Sequence, residues 1–157
     1  IVFSEQALIA PYKDSTALMF RLASHKDKHA LSDVSIQVNL VLLLTENSEP
    51  TYKFYELTLE RNRIETLMMN WTVVHPIDNN SPLQGFSLED MQAAGLEVYV
   101  TVRGFDNVYS NTVLKRTSYM YHEVVFNAKF IQMYHESEDG KTTIFELDKL
   151  SAYDRLD

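Results

Sequence analysis

Two histidine-bearing stretches carry residue types and spacings that could do chemistry. His25-Lys26-Asp27-Lys28-His29 sets two histidines four positions apart. On a helix they would share a face and could hold a metal ion. The stretch lies between two strand-like segments and is densely charged, so it reads as a solvated loop, and no metal site is expected. His75-Pro76-Ile77-Asp78, with Ser81 close behind, holds the residue types of a base, an acid and a nucleophile. A nucleophile needs a sharp elbow and an oxyanion hole, and Ser81-Pro82 offers neither. Asp78 to Pro82 reads instead as a dense turn whose Asx side chains cap their own backbone, with His75 tying a strand end to it. Asn70-Trp71-Thr72 matches a glycosylation sequon by chance. Met68, Met69 and Trp71 read as core. There is no glycine-rich phosphate loop, and no enzyme activity or cofactor is expected.

The elements that must position these residues are mostly strands. Asp33 to Leu40 alternates polar and apolar without error, the pattern of a strand with one wet and one buried face. Leu96 to Arg103 repeats it and ends at Gly104. Shorter strands are expected at Phe3–Ile9, Leu18–Leu22, Tyr52–Leu59, Trp71–Val74, Ser110–Tyr119, Val124–Tyr134 and Thr142–Leu147. Turns are expected from Pro11 to Thr16, from Glu46 to Pro50, and at Asp139-Gly140 as a tight hairpin. One helix stands out. Ser87 is its N-cap, Asp90 sits at the capping-box position, Leu88, Met91 and Ala94 share a face, and Gly95 stops it. Many short strands with one short helix point to an all-β sandwich.

The composition narrows the function classes. The chain has 157 residues, 14 basic and 22 acidic, for a net charge of −8. That balance argues against a nucleic-acid backbone as partner. A chain of this size buries roughly 70% of its unfolded surface, enough for one core. Zero cysteines exclude disulfides, thiolate metal sites and cysteine nucleophiles. The longest apolar run, Leu40–Leu44, is far short of the roughly 20 residues of a spanning helix. No signal peptide is visible, and the missing initiator Met reads as a fragment or processed chain.

Four segments in order resemble the cytoplasmic domain of inward-rectifier potassium channels, the prokaryotic branch above all. Ile1-Val2-Phe3-Ser4 with Ala7-Leu8-Ile9-Ala10 looks like the start of that domain, just after the inner transmembrane helix. Leu18-Met19-Phe20-Arg21-Leu22-Ala23 is similar to the family's Leu-Met-aromatic-Arg strand. Thr72 to Asp78 followed by Ser81-Pro82-Leu83 looks like its His-x-Ile-Asp-x-x-Ser-Pro-Leu signature. Val98 to Gly104, then Arg116-Thr117-Ser118-Tyr119, matches its strand, glycine, loop and Arg-x-Ser-Tyr block.

The resemblance implies an immunoglobulin-like β-sandwich with one short helix, a single domain over residues 1–157 whose transmembrane pore part is absent from this chain. It implies a homotetramer under the protein's own upstream pore domain, on the cytoplasmic side of the cell membrane. No cofactor is implied, and K⁺ is the permeant ion of the full, voltage-gated channel. Between Gly104 and Tyr119 lies the counterpart of the family's G-loop constriction, its apex at Ser110, Asn111 and Thr112. Asp106 and Arg116 flank the loop and are expected to pair across it. Asp33 stands where the family often has a pore-facing acid, and four copies would form a ring that attracts Mg²⁺ or polyamines. Anionic lipid is a further implied partner. His75, Asp78 and Ser81 belong to the signature turn.

This sequence also departs from the pattern. Arg63 and Arg103 stand where some eukaryotic members carry further acids, which argues against strong polyamine block. Phe126 replaces an expected Trp, and Ala128 a basic residue or His. A stand-alone β-sandwich module that binds a ligand or protein through its loops is the second reading.

Overall fold

The structure is a computed structural model and describes residues 1–25 and 30–157. In chain order its strands are β1 (Val2–Phe3), β2 (Ala7–Tyr12), β3 (Ser15–Ala23), β4 (Leu31–Glu46), β5 (Glu49–Glu56), β6 (Arg63–Leu67), β7 (Asn70–Ile77), β8 (Glu97–Asp106), β9 (Asn111–Met120), β10 (Val124–Phe126), β11 (Ala128–Phe130), β12 (Tyr134–Glu136), β13 (Thr143–Phe145) and β14 (Tyr153–Arg155), with one helix, α1 (Leu88–Ala93), between β7 and β8. One sheet runs β1-β3-β2-β10, with β7 also on β3; the other runs β5-β4-β8-β9, with β6 also on β4. Their inner faces share one core, as a sandwich requires.

Strand β4 is the spine. Its alternation puts Val34, Ile36, Val38 and Leu40 at 6% exposure or less, while Asp33 and Gln37 face solvent. It is longer than the alternating stretch alone, because the apolar run Leu40–Leu44 continues it against β5. The core's largest fully buried side chain is Tyr119, whose ring lies 5.5 Å from that of Phe20 across the two sheets. Helix α1 forms as its caps dictate: Ser87 Oγ accepts from Asp90 N at 3.1 Å and Asp90 Oδ2 from Ser87 N at 2.8 Å. Met91 and Ala94 are buried, but Leu88, expected on the same face, is 43% exposed in the helix's first turn.

Several boundaries differ from the sequence reading. The turn expected from Pro11 to Thr16 is tighter: Pro11 pairs with Thr16 and Tyr12 with Ser15, leaving Lys13 and Asp14 as the reversal. Val124–Tyr134 is three strands rather than one. Asn127 takes a left-handed φ of 54°, which Asn tolerates, and there the chain leaves the parallel ladder of β10 on β2 for that of β11 on β14. Phe3–Ile9 is likewise broken, at Ser4. Met68 and Met69, expected in the core, are 76% and 39% exposed. They form the tip that carries the chain from β6 in one sheet to β7 in the other, so neither faces the interior. Trp71, the next apolar residue, is buried.

Candidate functional site

His75 lies near the end of β7 and is 4% exposed. Its Nδ1 is 2.7 Å from the Thr58 carbonyl, which can only accept, so Nδ1 carries the proton. Nε2 therefore accepts from Ser81 Oγ at 2.7 Å. Ser81 Oγ in turn accepts the Leu83 N–H at 3.1 Å, and Asp78 Oδ1 accepts from Asn80 N at 2.9 Å. The Asp78 hydrogen bond thus stays within its own turn, and a main-chain carbonyl, not an acid, orients the histidine. Ser81 is committed to holding the turn, and the three residues form a clamp between the strand end, residue 58 and the turn.

Burial pushes the His75 pKa below its ordinary 6.5, and the Thr58 carbonyl and the Asp78 charge offset only part of this. The sign for stability follows. Below about pH 6.5 the unfolded chain takes up a proton that the folded chain refuses, so stability falls with pH until the folded ring protonates as well. Denaturation midpoints measured from pH 7 down to pH 5 are expected to drop through this window. His75→Gln should be less stable at pH 7 and show a flatter profile; an unchanged slope would assign the pH dependence to other groups.

The second cluster surrounds Gly104. Opposite it, β4 carries a bulge: the β4–β8 register passes from Ser32↔Phe105 to Ser35↔Arg103, so Asp33 and Val34 together face the single residue Gly104. Asp33 takes a left-handed φ of 51° there. The bulge turns Val34 inward, to 0% exposure, and throws Asp33 outward. A Cβ on Gly104 would sit 3.3 Å from Val34 Cγ2 and 3.5 Å from Leu31 Cβ, so the glycine is what lets β4 bulge against β8.

Asp33 does not stand as a bare acid. Arg63 on β6 reaches it with Nε and a terminal nitrogen, each 2.5 Å from Oδ1. Ser35 is flanked on the ladder by Arg63 on one side and Arg103 on the other. Ile64 packs on the core, so Glu65 shares the outer face with Arg63. This face therefore mixes two arginines with two acids. Arg63 and Arg103 were legible as departures in the sequence; that Arg63 grips Asp33 was not, because the pair spans 30 positions.

The third element is the β8–β9 hairpin. Asp106 pairs with Asn111 and Phe105 with Thr112, so the reversal occupies residues 107–110. Of the expected apex residues only Ser110 lies on it, with φ 53°, while Asn111 and Thr112 open β9. The side chains displayed at the tip are Val108 and Tyr109, 64% and 68% exposed, which sequence reasoning missed. Asp106 is 7% exposed, and its Oδ1 accepts from Val108 N at 3.0 Å and Tyr109 N at 3.1 Å. The expected pairing with Arg116 does not form. Arg116 is opposite Thr101, five ladder steps from Asp106, or about 17 Å at ~3.4 Å per residue. Asp106 shapes the loop by capping its backbone instead.

Lys26, Asp27, Lys28 and His29 of the first histidine stretch lie outside the described residues. Among the described residues no group of His, Asp and Glu is placed to hold a metal ion, and no helix is long and apolar enough to cross a membrane.

Comparison with known proteins fits these features. The family described as inward rectifier potassium channel C-terminal domain matches residues 1–154. Inward rectifier potassium channel Kirbac3.1 of Paramagnetospirillum magnetotacticum is 28% identical over 147 residues, 92% of this chain and 49% of the relative. ATP-sensitive inward rectifier potassium channel 8 of Homo sapiens is 27% identical over 143 residues, 88% of this chain and 34% of the relative. G protein-activated inward rectifier potassium channel 1 of Bos taurus is 29% identical over 140 residues, 83% of this chain and 27% of the relative. The chain spans half the length or less of these relatives. Their descriptions do not speak of voltage gating, and the expectation of a voltage-gated channel is withdrawn. The family is one of ion channels and not of enzymes. From its first residue to position 154, this chain belongs to the inward rectifier potassium channel C-terminal domain family.

Proposed function

We propose that this domain is the cytoplasmic gating and conduction-path part of a potassium channel, assembled as a homotetramer below the protein's own membrane-embedded pore. Four β8–β9 hairpins then surround the axis and constrict it at the level of Val108 and Tyr109, with K⁺ as the permeant ion. The outer face of β4, with Asp33, lines the wider path beneath. The observation that carries this reading is the bulge opposite Gly104, which spends a left-handed residue to project Asp33 beside the hairpin. Anionic lipid at the membrane face, and Mg²⁺ or polyamine in the path, are the ligands such an assembly would meet.

The Asp33–Arg63 pair makes the charge of that path testable. An exposed ion pair contributes only about 0–1 kcal/mol to stability, so either partner can be changed without unfolding the domain. In the full-length channel, Arg63→Gln should bare four carboxylates and strengthen block by internal Mg²⁺ or spermine several-fold. Asp33→Asn should weaken whatever block exists. Block that ignores both changes would place this face away from the ion path.

A further inference from the structure

Arg21 lies on the face of β3 that points away from the main core, yet it is only 3% exposed. Its Nε donates to the Leu150 carbonyl at 3.0 Å, one terminal nitrogen to Ile131 at 2.5 Å, and the other to Lys149 at 2.8 Å and Ala152 at 3.3 Å. The guanidinium also lies 4.3 Å from the ring centre of Phe130. Burial pushes its pKa down to about 10, so it remains a cation at neutral pH. A buried charge must be satisfied, and this one is satisfied by carbonyls of a single late segment, with no ion pair to a described residue.

That segment is built as a lobe. Strand β11 pairs with β14 and β12 with β13, apart from both main sheets. Met133 and Leu150 form a small apolar cluster with Ala23, distinct from the main core. A groove of about 730 Å³, lined by Met19, Arg21, Thr72, Phe130, Gln132 and Met133, runs between the lobe and the sheet. The lobe also touches the start of the chain, whose β1 is paired with β3 in the main sheet. The Glu5 N–H donates to Ser151 Oγ at 2.9 Å, and Val2 packs on the small cluster.

We infer that residues 128–155 open and close as one unit latched by Arg21, breaking the Glu5–Ser151 bond while β1 stays paired with β3. A unit held on the sandwich by one guanidinium, a small apolar cluster, the Glu5–Ser151 bond and the packing of β11 beside β2 opens below the free energy of global unfolding. The inference stands on these contacts and not on the channel reading. If that reading holds as well, the lobe's state is felt at Glu5, close to the end of the domain that joins the membrane-embedded half.

Hydrogen exchange followed by NMR on this chain tests it. In the unaltered chain under mild denaturant, the amides of Glu5, Ile131, Glu146 and Ala152 should exchange with one common opening free energy, lower than that of Val38 and Val100. Arg21→Met should speed the first group by at least about tenfold and the second by less than about twofold. Arg21→Lys should fall between, since an ammonium cannot reproduce the planar fork. The inference is overturned if lobe and sandwich exchange together, or if Glu5 stays protected while the lobe exchanges. Should Arg21→Met fail to fold, the unaltered chain decides alone.

Discussion

Gly104→Val is expected to destabilise the domain by about 2 kcal/mol and to lower its melting temperature by about 4–8 °C. The first added carbon already meets Val34 Cγ2 at 3.3 Å and Leu31 at 3.5 Å. Both neighbours are buried, at 0% and 6% exposure, so neither can swing into solvent. The two γ-carbons of valine have to enter the same wall, and overpacking of this kind costs about 1–3 kcal/mol. Replacing a glycine within a strand returns up to about 1 kcal/mol of backbone entropy, which reduces the penalty without removing it. Gly104→Ala should therefore lie near neutral. The bulge gives the experiment its specificity. Val34→Ala empties the space that the valine needs, so in the double variant the two costs should fail to add, with a coupling of about 1 kcal/mol. Denaturant midpoints of the four chains measure this directly. Additive costs would mean that the strain lies elsewhere than against Val34.

The same residues show where sequence is informative and where it stops. The alternation from Asp33 to Leu40 forecasts which side chains are buried, because a strand's period of two is a local property. The helix is equally local: Ser87, Asp90 and Gly95 specify its ends within nine positions. The bulge is not local. It depends on which residue of β8 lies opposite Asp33, and a continuous polar–apolar pattern carries no mark of the extra residue. The hairpin tip was displaced for a related reason. The family resemblance puts the apex at Ser110, Asn111 and Thr112, but the closing rung is fixed by the Asp106↔Asn111 register and by Asp106 capping Val108 and Tyr109. Arg21 is the furthest from legible. The strand reading of Leu18–Leu22 carries no sign of where the Arg21 side chain goes, because its carbonyl partners lie 110 to 131 positions away.

The second large effect concerns conduction. In the full-length channel, Val108→Trp is expected to cut single-channel conductance at least about fivefold, equivalent to raising the barrier by about 1 kcal/mol. Val108 is 64% exposed at the reversal between β8 and β9, so added bulk there meets no wall of its own domain and projects beyond it. Four copies around one axis would crowd a ring already carrying Tyr109. Stability should be nearly unchanged, because the substituted side chain packs on nothing in the core; matched melting temperatures of the isolated chains would establish this. Asn111→Trp supplies the contrast. Its backbone is fixed in the ladder opposite Asp106, one step below the reversal. The same indole placed there starts lower on the strand and should reduce conductance far less. A block by Asn111→Trp as deep as that by Val108→Trp would remove the tip from the constriction. If neither substitution reduces conductance, the hairpin does not face the ion path, and the tetrameric arrangement proposed for this domain fails with it.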